Sequence, residues 1–93
     1  MSSQQEVFDI INGLYHVMDD SGMVWFYAKE LCKYLEYKEE SRKIVKDLIK
    51  VESQKIKYSK IKIFTGGQTP RKIDGRQLFI NEEAIYQLIE KSS

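Results

Sequence analysis

The 93-residue sequence predicts an α+β fold: a small antiparallel sheet of hairpins with about three short helices, two of which form a helix-turn-helix-like pair beside a basic strand wing. Three observations point there. β-Branched and aromatic runs flank compact turn signals at Asp19-Asp20-Ser21-Gly22 and at Asp74-Gly75, the pattern of hairpins. Apolar residues recur at Ala28, Leu31, Cys32 and Leu35, the i, i+3, i+4, i+7 spacing of an amphipathic helix. Basic and apolar residues alternate in Lys55-Ile56-Lys57-Tyr58 and again in Lys60-Ile61-Lys62-Ile63, which is strand periodicity.

Taken in order, residues 1 to 5 are polar and are expected to fray. Between residues 6 and 18 the apolar side chains Val7, Phe8, Ile10, Ile11, Leu14, Tyr15 and Val17 look strand-like, with an interruption at Asn12-Gly13. His16–Met18 is expected to pair with residues 24–26 across the turn. A helix over residues 28–36 follows, with Lys29, Glu30, Lys33 and Glu36 outward. After a turn of about three residues at Lys38, a second helix covers residues 39–50. Its first turn carries Glu39 and Glu40 and its last carries Lys50, which complements the helix dipole. At about 100° per residue, Ile44, Val45, Leu48 and Ile49 fall on one side of it and Arg42, Lys43, Lys46 and Lys50 on another. That helix can pack one face and present a basic ridge.

The alternation in residues 54–64 changes parity between Tyr58 and Ile61, so a bulge or tight turn is expected around Ser59. Residues 65–70 form a loop. Asp74-Gly75, between Ile73 and Arg76, is a two-residue hairpin signal, with Leu78, Phe79 and Ile80 on the returning strand. Asn81 suits the N-cap of a last helix that has Glu82 and Glu83 in its first turn and Ile85, Leu88 and Ile89 inward.

Composition bounds the function. Hydrophobic residues make up 42% and charged residues 31% of the chain, ordinary for a globular protein of one domain with a modest core. There is neither an apolar run of membrane-spanning length nor a signal-peptide pattern at the N-terminus, so the chain is expected inside the cell. It also fits a domain cut from a longer protein. The single cysteine, Cys32, suits a reducing compartment. The net charge of +1 conceals a strong asymmetry. Residues 1–37 carry two basic and six acidic side chains, residues 38–76 carry twelve and five, and residues 77–93 carry one and three. A positive middle third suggests a polyanionic partner, although a merely solvated lysine-rich surface would look the same.

Reactive chemistry is sparse. The lone histidine, His16, has no second metal ligand at useful spacing, and Cys32 lies on the apolar side of its helix, where cysteine behaves as a small hydrophobe. Gly66-Gly67 lacks the lysine–hydroxyl pair of a phosphate-binding loop. The acidic pairs Asp19-Asp20 and Glu82-Glu83 fit turn and helix-start roles. The sequence therefore predicts no catalytic residue, no metal site, no cofactor and no small-molecule substrate: this is not an enzyme. The aromatic run Trp25, Phe26 and Tyr27 reads as scaffold, alternate members facing the core and pinning the first helix to the sheet, with Tyr34 or Tyr37 at the corner before the second.

The order of Trp25-Phe26, Ala28-Lys29-Glu30, Leu35-Glu36-Tyr37, the basic helix start at residues 42–45, a lysine-rich middle, and Phe79-Ile80-Asn81-Glu82 through Tyr86, Leu88, Ile89 and Ser92 resembles the Bro-N domain. That is the N-terminal module of baculovirus repeated-ORF proteins and of many phage antirepressor-like and giant-virus proteins. The likeness spans roughly residues 14–92. Two positions depart from the family: Glu36 replaces a usual glycine, which counts against a left-handed helix end there, and Glu39-Glu40 replaces a more neutral turn. The resemblance implies a DNA-binding module with a role in regulating transcription or replication, in the nucleus or cytoplasm of a host cell for a eukaryotic virus, or in a bacterial cytoplasm for a phage.

The expected partner is double-stranded DNA. Arg42, Lys43, Lys46 and Lys50 on the second helix would approach a groove, while Lys55, Lys57, Lys60 and Lys62 on a strand pair, with Arg71 and Lys72 at a tip, would line the backbone as a wing. Lysine is a point charge without arginine's planar fork, so the set suits phosphates better than bases. Arg42 is the candidate for a guanine edge, and Gln54 or Gln68 for an adenine. About five neutralised phosphates would give a log–log salt slope of roughly −4.5. Two other partners fit the same residues. One is a second protein chain, including a homodimer that buries exposed aromatics. The other is single-stranded nucleic acid stacked on tyrosines such as Tyr58.

Overall fold

The computed structural model describes residues 4–64, 66 and 71–92, with side chains described from residue 7 onward. Among the described residues there are four α-helices, α1 (Gln4–Gly13), α2 (Ala28–Tyr34), α3 (Ser41–Leu48) and α4 (Glu82–Lys91), and four short strands, β1 (His16–Met18), β2 (Val24–Tyr27), β3 (Lys55–Lys57) and β4 (Leu78–Ile80). The strands form one antiparallel sheet in the order β1-β2-β4-β3. The expected α+β class is what the chain adopts.

The N-terminal segment is the main correction. Residues 6–13, expected as strand, belong to helix α1, which also takes in Gln4 and Gln5; residues 1–3 lie outside the described residues. Val7, Ile10, Ile11 and Leu14 are spaced for one helical face, and Leu14 is buried with Ile10 and Ile11 packed partly against the same core. The β1–β2 hairpin has the expected register, with His16 opposite Phe26, Val17 opposite Trp25 and Met18 opposite Val24. Its turn is organised by Asp19. That carboxylate accepts from the Ser21 hydroxyl at 2.6 Å, the Ser21 and Met23 amides and the Trp25 indole at 3.0 Å. Led by the Ser21 and Trp25 hydrogen bonds, these hold its pKa down at about 2.

The sheet buries side chains on both faces, which explains the unbroken apolar sequence of β4. On the helical face, Phe26, Leu78 and Ile80 join Leu31, Val45, Ile49, Ile85 and Leu88. On the other face, Trp25, Tyr27 and Phe79 join Val17 and Ile61, with Tyr15, Ile56 and Tyr58 against them. All three aromatics of β2 are thus buried, split between two cores. Tyr27 and Tyr58 stack on Phe79 with ring centroids 5.2 and 4.8 Å away. The second face is covered by chain rather than by helix. After β3 a 3-10 turn at Tyr58–Lys60 absorbs the change of parity around Ser59. The segment then runs to the opposite edge of the sheet, where the Phe64 amide donates to Met18 and the Asp20 amide donates to Lys62.

Helix α2 starts directly from β2 without a linker and buries Ala28, Leu31 and Cys32. It ends with Glu36 at φ 62°, despite the absence of glycine. The Tyr37 amide donates to Cys32 and the Glu36 amide to Lys33, a Schellman pair that satisfies the last carbonyls. Tyr37 then swings inward and its hydroxyl donates to the Leu88 carbonyl at 2.8 Å, while Tyr34 stays exposed. The closing turn needs the left-handed residue, and Glu36 bears that strain because Tyr37 is anchored beyond it. The helix pair is as expected in kind but shorter: six residues, not three, separate α2 from α3.

Asp74-Gly75 turns the chain, but not between paired strands. The Gln77 amide returns to Asp74, whereas β4 pairs with β2 and β3. Residues 71–73 form no strand. Gly75 fits against the 3-10 turn so closely that a Cβ there would sit 2.8 Å from Ser59 Cβ. The expected loop at residues 65–70 lies outside the described residues except for Gly66, which is in a turn. Asn81 caps α4, its side-chain oxygen accepting from the Ala84 amide at 3.1 Å.

Candidate nucleic-acid interface

The anticipated cations divide by location and by what already holds them. Helix α3 buries Ile44 and Val45 and turns Lys43 and Lys46 outward, as its apolar and basic spacing dictates, with Ile49 buried just beyond its end. Lys46 shares a shallow groove with Lys57 and Leu78. The register explains this: Lys57 lies opposite Leu78 in the sheet, so it points toward the helical face, where α3 runs alongside. Lys50 is exposed just past the end of α3, and Lys60 is exposed on the 3-10 turn after β3. No carboxylate bonds to the ammonium groups of Lys46, Lys50, Lys57 or Lys60 among the described residues.

Other candidates are engaged. Arg42 Nε donates to Glu40 Oε1 at 2.6 Å, and Lys43 Nζ lies 2.6 Å from Glu39 Oε2. The Glu39 contact raises the Lys43 pKa above the ordinary lysine value. Lys55 has turned inward, with only 13% of its side chain exposed. Its ammonium donates to the Ile49 carbonyl at 2.6 Å, and Lys91 donates to Leu48 at 3.0 Å. The two lysines close the C-terminal end of α3, where cations are favoured. Lys55 is therefore a structural lysine, and no strand pair of residues 55–62 exists to form the expected wing; β3 pairs with β4 instead.

Arg71, Lys72 and Lys62 lie elsewhere. The Arg71 guanidinium sits 4.6 Å from the Tyr15 ring centroid, with Nη1 3.6 Å from Glu30. Its amide donates to the Tyr15 hydroxyl, and its carbonyl accepts from Tyr58. Those tyrosines pack on the face of the sheet opposite α3. Lys72 is exposed next to Arg71, and Lys62 is exposed at the β1 edge. The ten residues do not converge on one continuous surface.

Gln54, a candidate adenine reader, is turned into the interior. Gln54 is 8% exposed, and both ends of its amide are used: nitrogen donates to Glu83 at 2.8 Å and oxygen accepts from Gln87 at 2.8 Å. Gln68 lies outside the described residues. Tyr58 is committed to Phe79 and Arg71, and burial together with its neighbour Tyr15 pushes its phenol up to about 12. One face of its ring is taken by Phe79. Arg76, absent from the sequence-based set, is exposed, and Gln77 next to it lines a groove with Glu40 and Ser41 at the start of α3. Its guanidinium lies 2.8 Å from Asp74, and that hydrogen bond keeps the Asp74 carboxyl ionised to well below the usual carboxylate pH range. A basic residue one place after an Asp-Gly turn was the available signal.

The described residues contain no cluster of three metal-ligating side chains and no helix long and apolar enough to cross a membrane. Cys32 is buried and its thiol is pushed up to about 11 by burial, and His16 sits at the surface with Nδ1 3.2 Å from the Leu14 carbonyl.

The BRO family N-terminal domain model matches residues 13–93. The chain belongs to that family. Helix α1 lies almost wholly ahead of the matched region, whereas the sheet, α2, α3 and α4 all fall within it. Membership of the Bro-N family is consistent with a DNA-binding module. No curated protein and no solved structure gives a significant match.

Proposed function

We propose that this Bro-N domain binds duplex DNA through the phosphate backbone, without catalysis, and serves in regulating transcription or replication of a virus or phage. The observation that carries the reading is the groove in which Lys46 from α3 and Lys57 from β3 present unpaired ammonium groups, with Lys50 and Lys60 exposed on the segments beyond. Two elements distant in sequence supply charge to one edge of the domain, as a backbone-tracking surface requires. Lysine dominates that edge, which favours non-specific phosphate contact over base reading.

Fluorescence anisotropy with random-sequence duplex at stepped salt tests it. With about four phosphates neutralised, affinity should fall with a log–log slope near −3.6, over a hundredfold for a fourfold rise in salt. Absence of binding at low salt, or binding indifferent to salt, would sink the reading.

A second reading, a homodimerisation or protein-interaction module, draws on exposed Met18, Val24 and Phe64. Met18 pairs with Val24 across β1–β2, and Phe64 pairs with Met18 on the other edge of β1. Sedimentation equilibrium separates the two: a tight dimer without affinity for DNA would favour the second.

A further inference from the structure

Arg42 and Arg76 are thirty-four positions apart in sequence, and the turn that carries Arg76 leads into the groove at the start of α3. Gln77, the residue after Arg76, lines one groove with Glu40 and Ser41. Each arginine is held by its own carboxylate: Arg42 Nε by Glu40 at 2.6 Å, Arg76 Nη2 by Asp74 at 2.8 Å. The Arg42 and Arg76 side chains are 35% and 74% exposed. Two forks, each with its own carboxylate, thus make two neutral pairs in reach of solvent, one of them on the helix that carries Lys46.

We propose that Arg42 and Arg76 form a second contact for backbone phosphates, closed in the free protein by Glu40 and Asp74 and opened when phosphate takes the place of those carboxylates. The proposal rests on the duplex-binding reading and adds to it a gated site with a residue of its own, Arg76. A guanidinium holds a phosphate by two parallel N–H donors, as it holds a carboxylate, so the exchange conserves geometry. Ion pairs this exposed are weak and screened by salt, so a closely spaced row of phosphates competes effectively with a single carboxylate. Being neutral, the pairs contribute little to long-range attraction; they engage after the free lysines have brought the duplex in. Glu40 gives no side-chain hydrogen bond to the N-terminus of α3, so its replacement leaves the cap as it is.

The test is the salt dependence of binding of one random duplex to wild type, Glu40→Gln, Arg76→Gln and the double variant, with thermal melts confirming that each is folded. Glu40→Gln should bind about fivefold more tightly, with a slope steeper by about 0.9. Arg76→Gln should bind several-fold more weakly, and the double variant should lose much of the gain. Arg76→Lys, which keeps the charge without the fork, should fall between Arg76→Gln and wild type. Wild-type affinity and slope in Glu40→Gln, or in Arg76→Gln, would overturn the gate while leaving the lysine edge intact as a binding surface. Failure of wild type to bind duplex at low salt would overturn both.

Discussion

Residues 42–50 and residues 55–62 each carry four basic side chains, yet they offer different amounts of charge to a partner. In the first segment Arg42 and Lys43 are bonded to Glu40 and Glu39, which leaves Lys46 and Lys50 free. In the second, Lys55 is spent on the end of α3, and Lys57, Lys60 and Lys62 are free. Lys62, however, sits at the far edge of the sheet. The two segments thus lose charge in different ways. Helix α3 is screened by the acids just ahead of it, while β3 turns a lysine inward to the helix end, with Glu52 3.5 Å from its ammonium. Counting basic residues overstates an interface; what counts is which ammonium groups have no carbonyl or carboxylate of their own.

The strongest way to break that comparison is to reverse the free charges. Lys46→Glu with Lys57→Glu should lower duplex affinity on the order of a hundredfold and shift the salt slope toward zero by about two phosphates' worth, with the melting temperature little changed. A much smaller loss in anisotropy titrations would mean that the groove is not the contact. Lys55→Met should do the reverse. It removes a nearly buried donor from the Ile49 carbonyl, so stability should fall by about 1–2 kcal/mol in urea unfolding while DNA affinity stays close to wild type. A third handle lies in the corner that feeds α3. Glu36→Gly relieves a left-handed residue and should stabilise the fold by about 1 kcal/mol, a rise in melting temperature of roughly 4–8 °C in calorimetry. The finest contrast pairs Lys60→Gln, expected to weaken binding about threefold to fivefold, with Lys43→Gln, expected to change it less than twofold because Lys43, unlike Arg42, has no planar fork with which to exchange its carboxylate for a phosphate. Equal effects would erase the distinction between paired and free cations.

Much of the architecture was legible because local pattern and tertiary demand agree. The β1–β2 register follows from the turn at Asp19–Gly22, the parity change around Ser59 became a 3-10 turn, and Asn81 caps the helix that its position implied. Helix α1 was misread because Val7, Phe8, Ile10 and Ile11 are rich in strand formers. The spacing of Val7, Ile10, Ile11 and Leu14 was helical all along, and burial on one face outweighs intrinsic preference. The Asp-Gly turn was real, but nothing local could say that β4 would find β2 and β3 as its neighbours. The site was less legible than the fold. Gln54 and Lys55 look like surface residues in a polar stretch, and only the approach of Glu83, Gln87 and the Ile49 carbonyl makes them interior ones. Those contacts span up to 33 positions, and no period or propensity encodes them. The pairing of Glu39 with Lys43 was readable in principle, since residues four apart share a helical face.

The segment that crosses from β3 to β1 has a consequence for how the protein behaves in a crowded solution. By bonding to Met18 and Asp20 it covers the turn end of β1. The opposite border, β3, is three residues long, and two of the three are lysine. A border so short and so cationic is a poor template for the edge of another chain. The domain can therefore carry two apolar-faced layers in a small sheet and still resist growing into a fibril strand by strand.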